Sequence, residues 1–513
     1  MSLRVLLAGY NVDADVLRDI RHELDFIQKE AGAGMQGDLG ASELRRLLEA
    51  LHRSASELLS GRALTPEALS AAYARISRDP KSIPELRRAA REGIAAARKS
   101  NDAIIFGLGH ASVAEHAVFN LDILGLSRLA TEELQAHRLL SFTEKSQRYV
   151  TAESDYVVPR EIRGTDWEEQ FHSEIGKLFL SYQFFFEKLY RGILAKEGEA
   201  REGVARREQE TRAKEDARYV LPLATATQMG MTVNARNLEY VVRECAGHEL
   251  AEMRLLGQRL YEAVRPLAPS LVKYIQPSAF PRLNRSQIAE GRVPEPHAGE
   301  VEILAEPQAK LLAATPDGER VVAQALAFRS GVQIVTESLS EDFWRTVFRG
   351  MTQHDPAPRE FELATLQFEV KLSASCYAQL KRHRMMTLLP APCHFGEGVV
   401  LPPAIEHADL SEPFANSVRN INEFCTKLAH VNPRAACYCL TNAHVRKALI
   451  HVNARELYHM SRLRQDKQAQ WEIRQLVSQM VDQARKLWPN LMALTCGKDE
   501  FDNQYARFFG GKG

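Results

Sequence analysis

The chain has 513 residues, more than one compact core usually holds, so two or more domains are expected. Hydrophobic residues make up 45% and charged residues 26%, which is typical of a globular protein and excludes a largely disordered one. Lysine plus arginine and aspartate plus glutamate both total 66. This balance argues against nucleic-acid binding through bulk charge, so no nucleic-acid partner is expected.

The seven cysteines lack the spacing of a metal site, because no Cys-x-x-Cys pair occurs. The closest pair, Cys437 and Cys439, is one residue too short. Free thiols and no bound metal are therefore expected. The N-terminus lacks the pattern of a cleavable leader, and no apolar stretch reaches about 18 residues, so no membrane span is predicted. A cytoplasmic enzyme fits these features, as do many other proteins.

In chain order, the first predicted element is a strand, because Leu3 to Ala8 is a short apolar run that ends at Gly9. Residues 12–100 are predicted to be mostly helical. The charged run from Glu202 to Arg218 is interpreted as the solvated face of a helix. The stretch from Gln276 to Glu300 is rich in Pro, Arg, Gly and Ser without periodicity, which predicts a linker.

After this linker the pattern restarts. Val301 to Ala305 predicts a strand, and Ala309 to Arg329 predicts a helix entered through Thr315-Pro316-Asp317. A repeat of roughly 250 residues is too long for a solenoid and suits a duplicated domain. We therefore predict one domain at 1–275, a linker at 276–300 and a second domain at 301–513.

Two short motifs occur once in each half and in the same order. The first pair is Gln135-Ala136-His137-Arg138 and Lys381-Arg382-His383-Arg384. The second pair is Val233-Asn234-Ala235-Arg236-Asn237-Leu238 and Val452-Asn453-Ala454-Arg455-Glu456-Leu457. Neither motif is decisive alone, but their ordered repetition supports the duplication.

The stretch from His137-Arg138 to Arg148-Tyr149 resembles the signature of the flavin-dependent thymidylate synthases. Further segments are similar to that family, namely His110 with Glu115-His116, Ala217-Arg218-Tyr219-Val220-Leu221-Pro222, and Asn453 to His459 followed by Leu463-Arg464 and Ala469 to Arg474. The resemblance spans both halves. It implies an α+β fold with two homologous domains, each a mixed sheet packed with long helices. It also implies FAD-dependent methylation of dUMP to dTMP with methylenetetrahydrofolate and NADPH.

The two halves depart from the family pattern at different positions. The first half lacks the family's arginine and glutamine, and has Ala136 and Glu133 there. The second half keeps the corresponding residues Gln379 and Arg382, and also Arg464. It has in turn Pro392, His394 and Cys437 in the places of Ser146, Arg148 and Arg218. Arg243 is considered as the counterpart of Arg464, although its spacing from Asn234 is not that of the family.

These complementary losses have a simple interpretation. In the family, each dUMP site forms where subunits of a tetramer meet, so two copies contribute different residues. A tandem fusion allows each copy to keep only its own share. We therefore predict composite sites built from both halves, and a homodimer that imitates the family's tetramer.

The resemblance assigns roles to individual residues. Substrate binding is assigned to Glu144, Ser146, Arg148, Arg218, Gln379, Arg382 and Arg464. The catalytic step is assigned to Arg464, which would polarise a uracil carbonyl, and to Ser146, acting as a binder and not as a nucleophile. FAD binding is assigned to His110, His137, Arg138, Asn234, Arg382, His383, Arg384, Asn453 and His459.

Alternatives stay open at this point. Asn234 and Asn453 could equally cap helices. The protein could modify C5 of another pyrimidine nucleotide, or it could be a non-catalytic homologue that binds flavin or nucleotide.

Overall fold

The computed structural model describes residues 2–34, 40–60, 64–198, 203–280, 302–332, 340–392 and 395–510. The chain forms two compact units: Met1–Lys145 with Ala226–Val293, and Ser146–Thr225 with Pro294–Gly513. A segment of the first half therefore belongs to the second unit. The boundaries 1–275, 276–300 and 301–513 describe the sequence repeat and stay a prediction, since most of the linker lies outside the described residues.

The first unit contains helices and strands in the following order along the chain. Its helices are α1 (Ala14–Gly34), α2 (Ala41–Ser60), α3 (Pro66–Arg75), α4 (Ile83–Glu92), α5 (Ile94–Asn101), α6 (Arg128–Leu134), α9 (Ala235–Ala246) and α10 (Ala251–Val264). Its strands are β1 (Arg4–Tyr10), β2 (Val118–Ser127), β3 (Ser141–Glu144) and β4 (Ala226–Asn234). A π-helical turn at Asp102–Gly107 and a 3-10 helix at Ala111–His116 follow α5. The strand predicted at the N-terminus and the helical character of residues 12–100 are confirmed.

The second unit has more elements. Its helices are α7 (Asp166–Glu197), α8 (Val204–Ala217), α11 (Gly318–Ser330), α12 (Glu341–Phe348), α13 (Ala374–Leu380), α14 (Pro403–His407), α15 (Ser411–Val431), α16 (Pro433–Cys437), α17 (Ala454–Arg464), α18 (Trp471–Leu487) and α19 (Phe501–Phe508). Its strands are β5 (Ile303–Leu304), β6 (Gln308–Ala314), β7 (Thr365–Ser373), β8 (Thr387–Pro390), β9 (Val399–Val400) and β10 (Val445–Asn453). Short 3-10 helices lie at Arg160–Ile162, Arg218–Val220, Arg359–Leu363, Phe395–Glu397 and Lys498–Glu500.

The main sheets of the two units repeat one topology. Their strand orders are β1-β2-β4-β3 and β6-β7-β10-β8, and every neighbouring pair in them is antiparallel. In both sheets the first strand, β1 or β6, has a register shift where it pairs with its neighbour, β2 or β7. The α+β class and the duplication are thus confirmed. The expected mixed pairing is wrong for these sheets, because parallel pairing in the described residues joins only the short strands β5 and β9.

The sheet of the second unit is buried on one face by helices. Along β7 the residues alternate, so that Leu366, Phe368 and Val370 point into the core. Helix α18 presents Ile473 and Met480 to the same core, as expected for an apolar stripe with helical period. Alternating strands and an amphipathic helix thus meet in one hydrophobic core, which packs α18 against the sheet.

Two elements differ from the sequence prediction. The helix predicted for Ala309–Arg329 begins only at Gly318, and its first third is strand β6. The reason is tertiary, since β6 completes the sheet by pairing with β7. The charged run is a helix, as predicted, but its last turns are buried at Lys214 and Asp216, so it is not solvated throughout.

The two halves meet in the second unit through reciprocal backbone hydrogen bonds. Leu223 N donates to Leu440 O at 2.7 Å, and Asn442 N donates to Leu221 O at 2.9 Å. A second such pair joins Ala224 N to Tyr438 O and Ala443 N to Tyr219 O, both at 2.8 Å. Within each pair, the donor and the acceptor of one bond occupy the same positions in the repeat as those of the other bond, with the two halves exchanged. This is the pattern of an isologous interface, here formed within one chain.

No helix in the described ranges combines the length and the apolar character needed to cross a bilayer.

One buried histidine makes the stability of the second unit depend on pH. His444 Nδ1 accepts from Thr441 N at 2.8 Å, so its Nε2 must donate to Asn422 Oδ1 at 2.7 Å. Burial lowers the pKa of His444 to about 4, partly offset by the bond from Thr441. The folded chain holds the neutral ring, whereas an unfolded histidine takes up its proton near pH 6.5.

The contribution of His444 to the free energy of unfolding should therefore be fully present above pH 6.5. It should fall by about 3 kcal/mol as the pH drops from 6.5 to 4. Urea denaturation across this pH range should show a flatter profile for His444→Gln. The exposed His407 supplies a matched control, and an equal flattening in His407→Gln would contradict the assignment.

Candidate active site

A turn directly after Lys145 carries the first of three arginines that come together in the second unit. Ser146 Oγ accepts from Arg148 N at 3.2 Å, and Ser146 O accepts from Val150 N at 3.0 Å. Arg148 Nη2 donates to Glu215 Oε2 at 3.1 Å. The serine hydroxyl thus orders the turn, and Glu215 of α8 holds the guanidinium.

The second arginine, Arg218, stands where α8 ends and a 3-10 turn begins. Its Nε donates to Glu215 O at 3.1 Å, and its carbonyl accepts from Asn442 Nδ2 at 2.9 Å. Burial lowers the pKa of Arg218, and the charge of Arg148 lowers it further. Within the described residues, Arg218 Nη2 and Arg148 Nε are buried without a hydrogen-bond partner. Two buried guanidinium donors without a partner, on arginines whose charges interact, are suited to bind an anion.

The third arginine, Arg464, ends α17 and comes from the other half of the chain. Its Nε donates to His383 Nε2 at 2.9 Å, and its Nη2 donates to Gln379 O at 3.3 Å. Burial lowers the pKa of Arg464, and the charges of Arg148 and Arg382 contribute to this, while Cys376 opposes it. Arg464 therefore lies within electrostatic reach of Arg148, although 316 positions separate them.

A buried hydrogen-bond network connects the same two halves beside these arginines. Tyr219 OH donates to Glu472 Oε2 at 2.5 Å, and Gln470 Nε2 donates to the Tyr219 oxygen at 2.8 Å. Gln470 Oε1 in turn accepts from Gln379 Nε2 at 3.3 Å. Glu472 also accepts from Ser373 N at 2.7 Å and from the Ser373 hydroxyl, and so holds the serine that caps α13 by accepting from Cys376 N at 3.0 Å. Burial raises the pKa of Glu472.

The residues expected to hold the cofactor in the second unit surround His383. Arg382 and Arg384 are exposed on either side of this buried histidine. The His459 ring lies 5.8 Å from the His383 ring in an edge-to-face arrangement. Asn453 Oδ1 accepts from Glu456 N at 2.8 Å and caps α17, so the capping alternative is realised there.

The remaining predicted site residues belong to the first unit. Asn234 Oδ1 caps α9 by accepting from Asn237 N at 2.9 Å. The Glu144 carboxylate is buried, and its partners are Arg128 in an ion pair, Gln135 at 3.1 Å and Thr227 at 3.3 Å. His110 Nε2 contacts Arg78 Nη2 at 3.2 Å, and Arg138 is exposed. The roles of these residues toward nucleotide or flavin stay predictions.

His137 has surroundings different from those of its second-half counterpart. Its ring meets Tyr240 edge to face at 5.6 Å. Burial lowers the pKa of His137 to about 4, with Glu133 opposing this and His248 adding to it. The groups that act on His137 are thus Tyr240, Glu133 and His248, whereas His383 contacts Arg464.

The counterpart of Arg464 in the first half is Cys245 and not Arg243. Strands β4 and β10 end at Asn234 and Asn453, and both asparagines cap the next helix. Eleven positions further along lie Cys245 and Arg464, and Arg243 corresponds to Arg462. Arg243 instead stacks over Tyr240 at 5.5 Å. His394, the counterpart of Arg148, lies outside the described residues.

Several residues of this site were not predicted. Tyr219, Gln470 and Glu472 stand inside motifs that carry the resemblance, but no role followed from their type. Glu215 belongs to the charged run that was interpreted as solvated, and Glu456 to the repeated Asn-Ala-Arg motif. Only the hydrogen bonds reveal them, since their spacing carries no signal.

Asp216 and Trp471 provide a spectroscopic probe at this site. Trp471 Nε1 donates to Asp216 Oδ1 at 2.9 Å, and burial raises the pKa of Asp216 to about 6 despite this bond. Protonation below pH 6 removes a charge beside the indole, so tryptophan fluorescence should change with a midpoint near pH 6. Asp216→Asn and Trp471→Phe should both abolish the transition. Its persistence in Asp216→Asn would show that another group titrates.

Comparison with known proteins agrees with this duplicated arrangement. The family profile described as thymidylate synthase complementing protein matches residues 59–270 and 310–490. A flavin-dependent thymidylate synthase of Clostridium tetani is 32% identical over 217 residues, or 42% of this chain and 83% of that protein. The UPF0159 protein of Chlamydia pneumoniae is 24% identical over 419 residues, or 75% of this chain and 78% of that protein.

A solved structure is also similar to part of the chain. It is the flavin-dependent thymidylate synthase of Helicobacter pylori complexed with FAD and dUMP, with 20% identity, a TM-score of 0.27, and coverage of 41% of this chain and 96% of that one. The assignment rests on the sequence matches, which span most of the chain in two segments. The chain therefore belongs to the thymidylate synthase complementing protein family, that of the flavin-dependent thymidylate synthases, and carries the family domain twice.

Proposed function

We propose that the protein converts dUMP to dTMP by FAD-dependent reductive methylation, with methylenetetrahydrofolate as carbon donor and NADPH as reductant. One observation carries the proposal. Arg148 and Arg218 of the first half have buried, unpartnered donors in the same unit that holds Arg464 and Gln379 of the second half. Family membership supplies the reaction class, and this cluster supplies a nucleotide site with contributions from both copies.

The donor set suits the phosphate of dUMP. A phosphate dianion needs several charged donors, and guanidiniums stay charged even when buried. Arg218 Nη2 and Arg148 Nε are the two donors that a phosphate oxygen would satisfy, which relieves the cost of burying them unpaired. Ser146, whose hydroxyl accepts from the Arg148 amide, keeps a hydroxyl proton for the ribose or the phosphate.

Arg464 suits the uracil ring. Negative charge develops on the uracil carbonyl while C5 attacks the carbon donor, and a fixed guanidinium nearby stabilises it. Arg464 Nη1 is the group left for this task, because His383 and Gln379 occupy Nε and Nη2. No cysteine nucleophile is needed, and Cys376 beside Arg464 is buried with a raised pKa.

The residues that we assign to FAD lie around His383 in the second unit. Arg382, whose charge acts on Arg464, and Arg384 are two exposed guanidiniums on either side of His383, a donor set suited to a pyrophosphate. When bound, FAD supplies the reducing equivalents that turn the transferred carbon into a methyl group. His459 is the further residue of this region that we assign to the flavin.

One complete nucleotide site per chain is expected. The second copy has Cys437 in the place of Arg218, and the first copy has Cys245 in the place of Arg464. A site built from these remaining residues lacks both the buried phosphate donor and the arginine at the base. We further propose that two chains assemble as a homodimer with twofold symmetry, in imitation of the family's tetramer.

The test uses purified protein loaded with FAD. Release of tritium to water from 5-tritiated dUMP, dependent on methylenetetrahydrofolate and NADPH, is the expected result, together with rescue of a thymidine-requiring bacterium. Parallel assays with labelled UMP and dCMP examine the other pyrimidine nucleotides. Release from one of these alone would reassign the substrate, and a yellow protein that releases no tritium from any would contradict catalysis.

A further inference from the structure

A carboxylate, an imidazole and a guanidinium form a chain of hydrogen bonds in the second unit. Glu456 Oε1 lies 3.3 Å from His383 Nδ1, and His383 Nε2 lies 2.9 Å from Arg464 Nε. Arginine Nε can only donate, so His383 Nε2 must be the acceptor. The ring proton is therefore on Nδ1, where Glu456 accepts it.

We propose that Glu456, through His383, is the positioning residue that orients Arg464 toward the uracil ring. This inference rests on the proposed function. It departs from the role that the resemblance gives His383, which is flavin binding. Glu456 accepts the Nδ1 proton and thereby fixes the tautomer of His383. In this tautomer His383 Nε2 accepts from Arg464 Nε. The carbonyl of Gln379 accepts from Arg464 Nη2. The planar guanidinium is then held at two points, and Nη1 keeps one direction.

The burial of the parts supports this assignment. His383 and Glu456 are both buried, and an unpaired imidazole and carboxylate there would carry a large desolvation cost. Burial lowers the pKa of His383, and the charge of Arg464 adds to this, while the bond to Glu456 opposes it. A protonated His383 would turn an N–H toward Arg464 and break the chain.

The first half provides an internal comparison, because it lacks the carboxylate and the arginine of this hydrogen-bonded series. Counting from the two capping asparagines, Glu456 corresponds to Asn237, His459 to Tyr240, and Arg464 to Cys245. His137 remains at the place of His383 and keeps its edge-to-face ring partner. Glu456 thus occurs in the half that has Arg464, and both are replaced in the other half, as expected if Glu456 orients Arg464.

The experiment compares Glu456→Ala with Glu456→Gln and with the matched variant Asn237→Ala, all in the full-length FAD-loaded protein. Asn237 and Glu456 occupy the same helix position, and each backbone N–H is capped by an asparagine. Glu456→Ala should lower kcat for dUMP about 30-fold with less than about a threefold change in dUMP Kd, because the charge of Arg464 stays in the site. Glu456→Gln should keep kcat within about threefold, since its amide oxygen still accepts from Nδ1–H. Asn237→Ala should leave kcat unchanged.

Three results would overturn the proposal. They are an unchanged kcat in Glu456→Ala, an equal loss in Asn237→Ala, and a loss of FAD affinity that accounts for the lost rate. The last result would return His383 to the flavin. A wild-type protein that releases no tritium from dUMP would instead contradict the proposed function.

A second measurement does not need turnover. Spectra of ¹⁵N-histidine-labelled protein near pH 7.5, assigned with His383→Gln, should show His383 neutral with its proton on Nδ1. Glu456→Ala should alter this signal. A ring protonated on Nε2 would exclude the acceptor role toward Arg464 and end the proposal.

Discussion

Arg148→Ala and Arg464→Ala are each expected to weaken dUMP binding about 100-fold, although the two residues come from different copies of the domain. Removing one member of a buried charged contact costs roughly 3 kcal/mol, because the ligand charge loses its partner after desolvation. Both arginines lie in one unit, and the charge of Arg148 reaches Arg464. Calorimetric titration of dUMP into the FAD-loaded protein measures both losses.

The control for this pair is Arg243→Ala. Arg243 is an arginine of the first copy that stacks on Tyr240 and corresponds to Arg462, not to Arg464, so dUMP binding should stay within about threefold of wild type. The double variant Arg148→Ala with Arg464→Ala should retain no measurable site. Near-normal dUMP affinity in both single variants would reject a nucleotide site shared by the two copies.

Glu472→Ala should be the most destabilising single change at the junction of the two copies. Its carboxylate accepts from Ser373 N, from the Ser373 hydroxyl and from Tyr219 OH. Truncation leaves these buried donors without an acceptor, at a cost of roughly 4 kcal/mol. Tyr219→Phe removes one of the bonds and should cost roughly 1.5 kcal/mol.

Tryptophan fluorescence suits this measurement, since all four tryptophans, at 167, 344, 471 and 488, lie in the second unit. Urea denaturation should show the two losses as lower transition midpoints. Tyr156→Phe is the matched control, because the half-buried Tyr156 makes a solvent-exposed hydrogen bond from its OH to His172 Nδ1 at 2.6 Å. It should cost less than about 0.5 kcal/mol. Equal effects of Tyr219→Phe and Tyr156→Phe would contradict a special role for the network.

The asparagines of the repeated motif show how far sequence patterns reach. Asn234 and Asn453 could be helix caps or flavin ligands by pattern, and both cap helices in the structure. The motif located them correctly because helix capping is a local interaction between residues three positions apart. A contact with a cofactor depends on distant parts of the chain, so no local pattern could decide it.

The arginines show the opposite case. Arg148, Arg218 and Arg464 were identified from motifs, but Arg243 was considered as a counterpart of Arg464. Strand pairing gives the correspondence, since β4 and β10 occupy the same place in the two sheets and end at equivalent asparagines. Helix α9 then places Cys245 where α17 places Arg464. Both residues lie eleven positions after the capping asparagine, so no insertion or deletion separates the two helices.

Amino-acid order alone determined that the domain is duplicated, which family it resembles, and which copy retained each arginine. It did not determine that residues 146–225 pack with the second copy, nor that Tyr219 bonds Glu472 from 253 positions away. Local elements follow from interactions between near neighbours in the chain. The partners of buried polar groups follow from which surfaces meet when those elements pack, and only the tertiary structure supplies that.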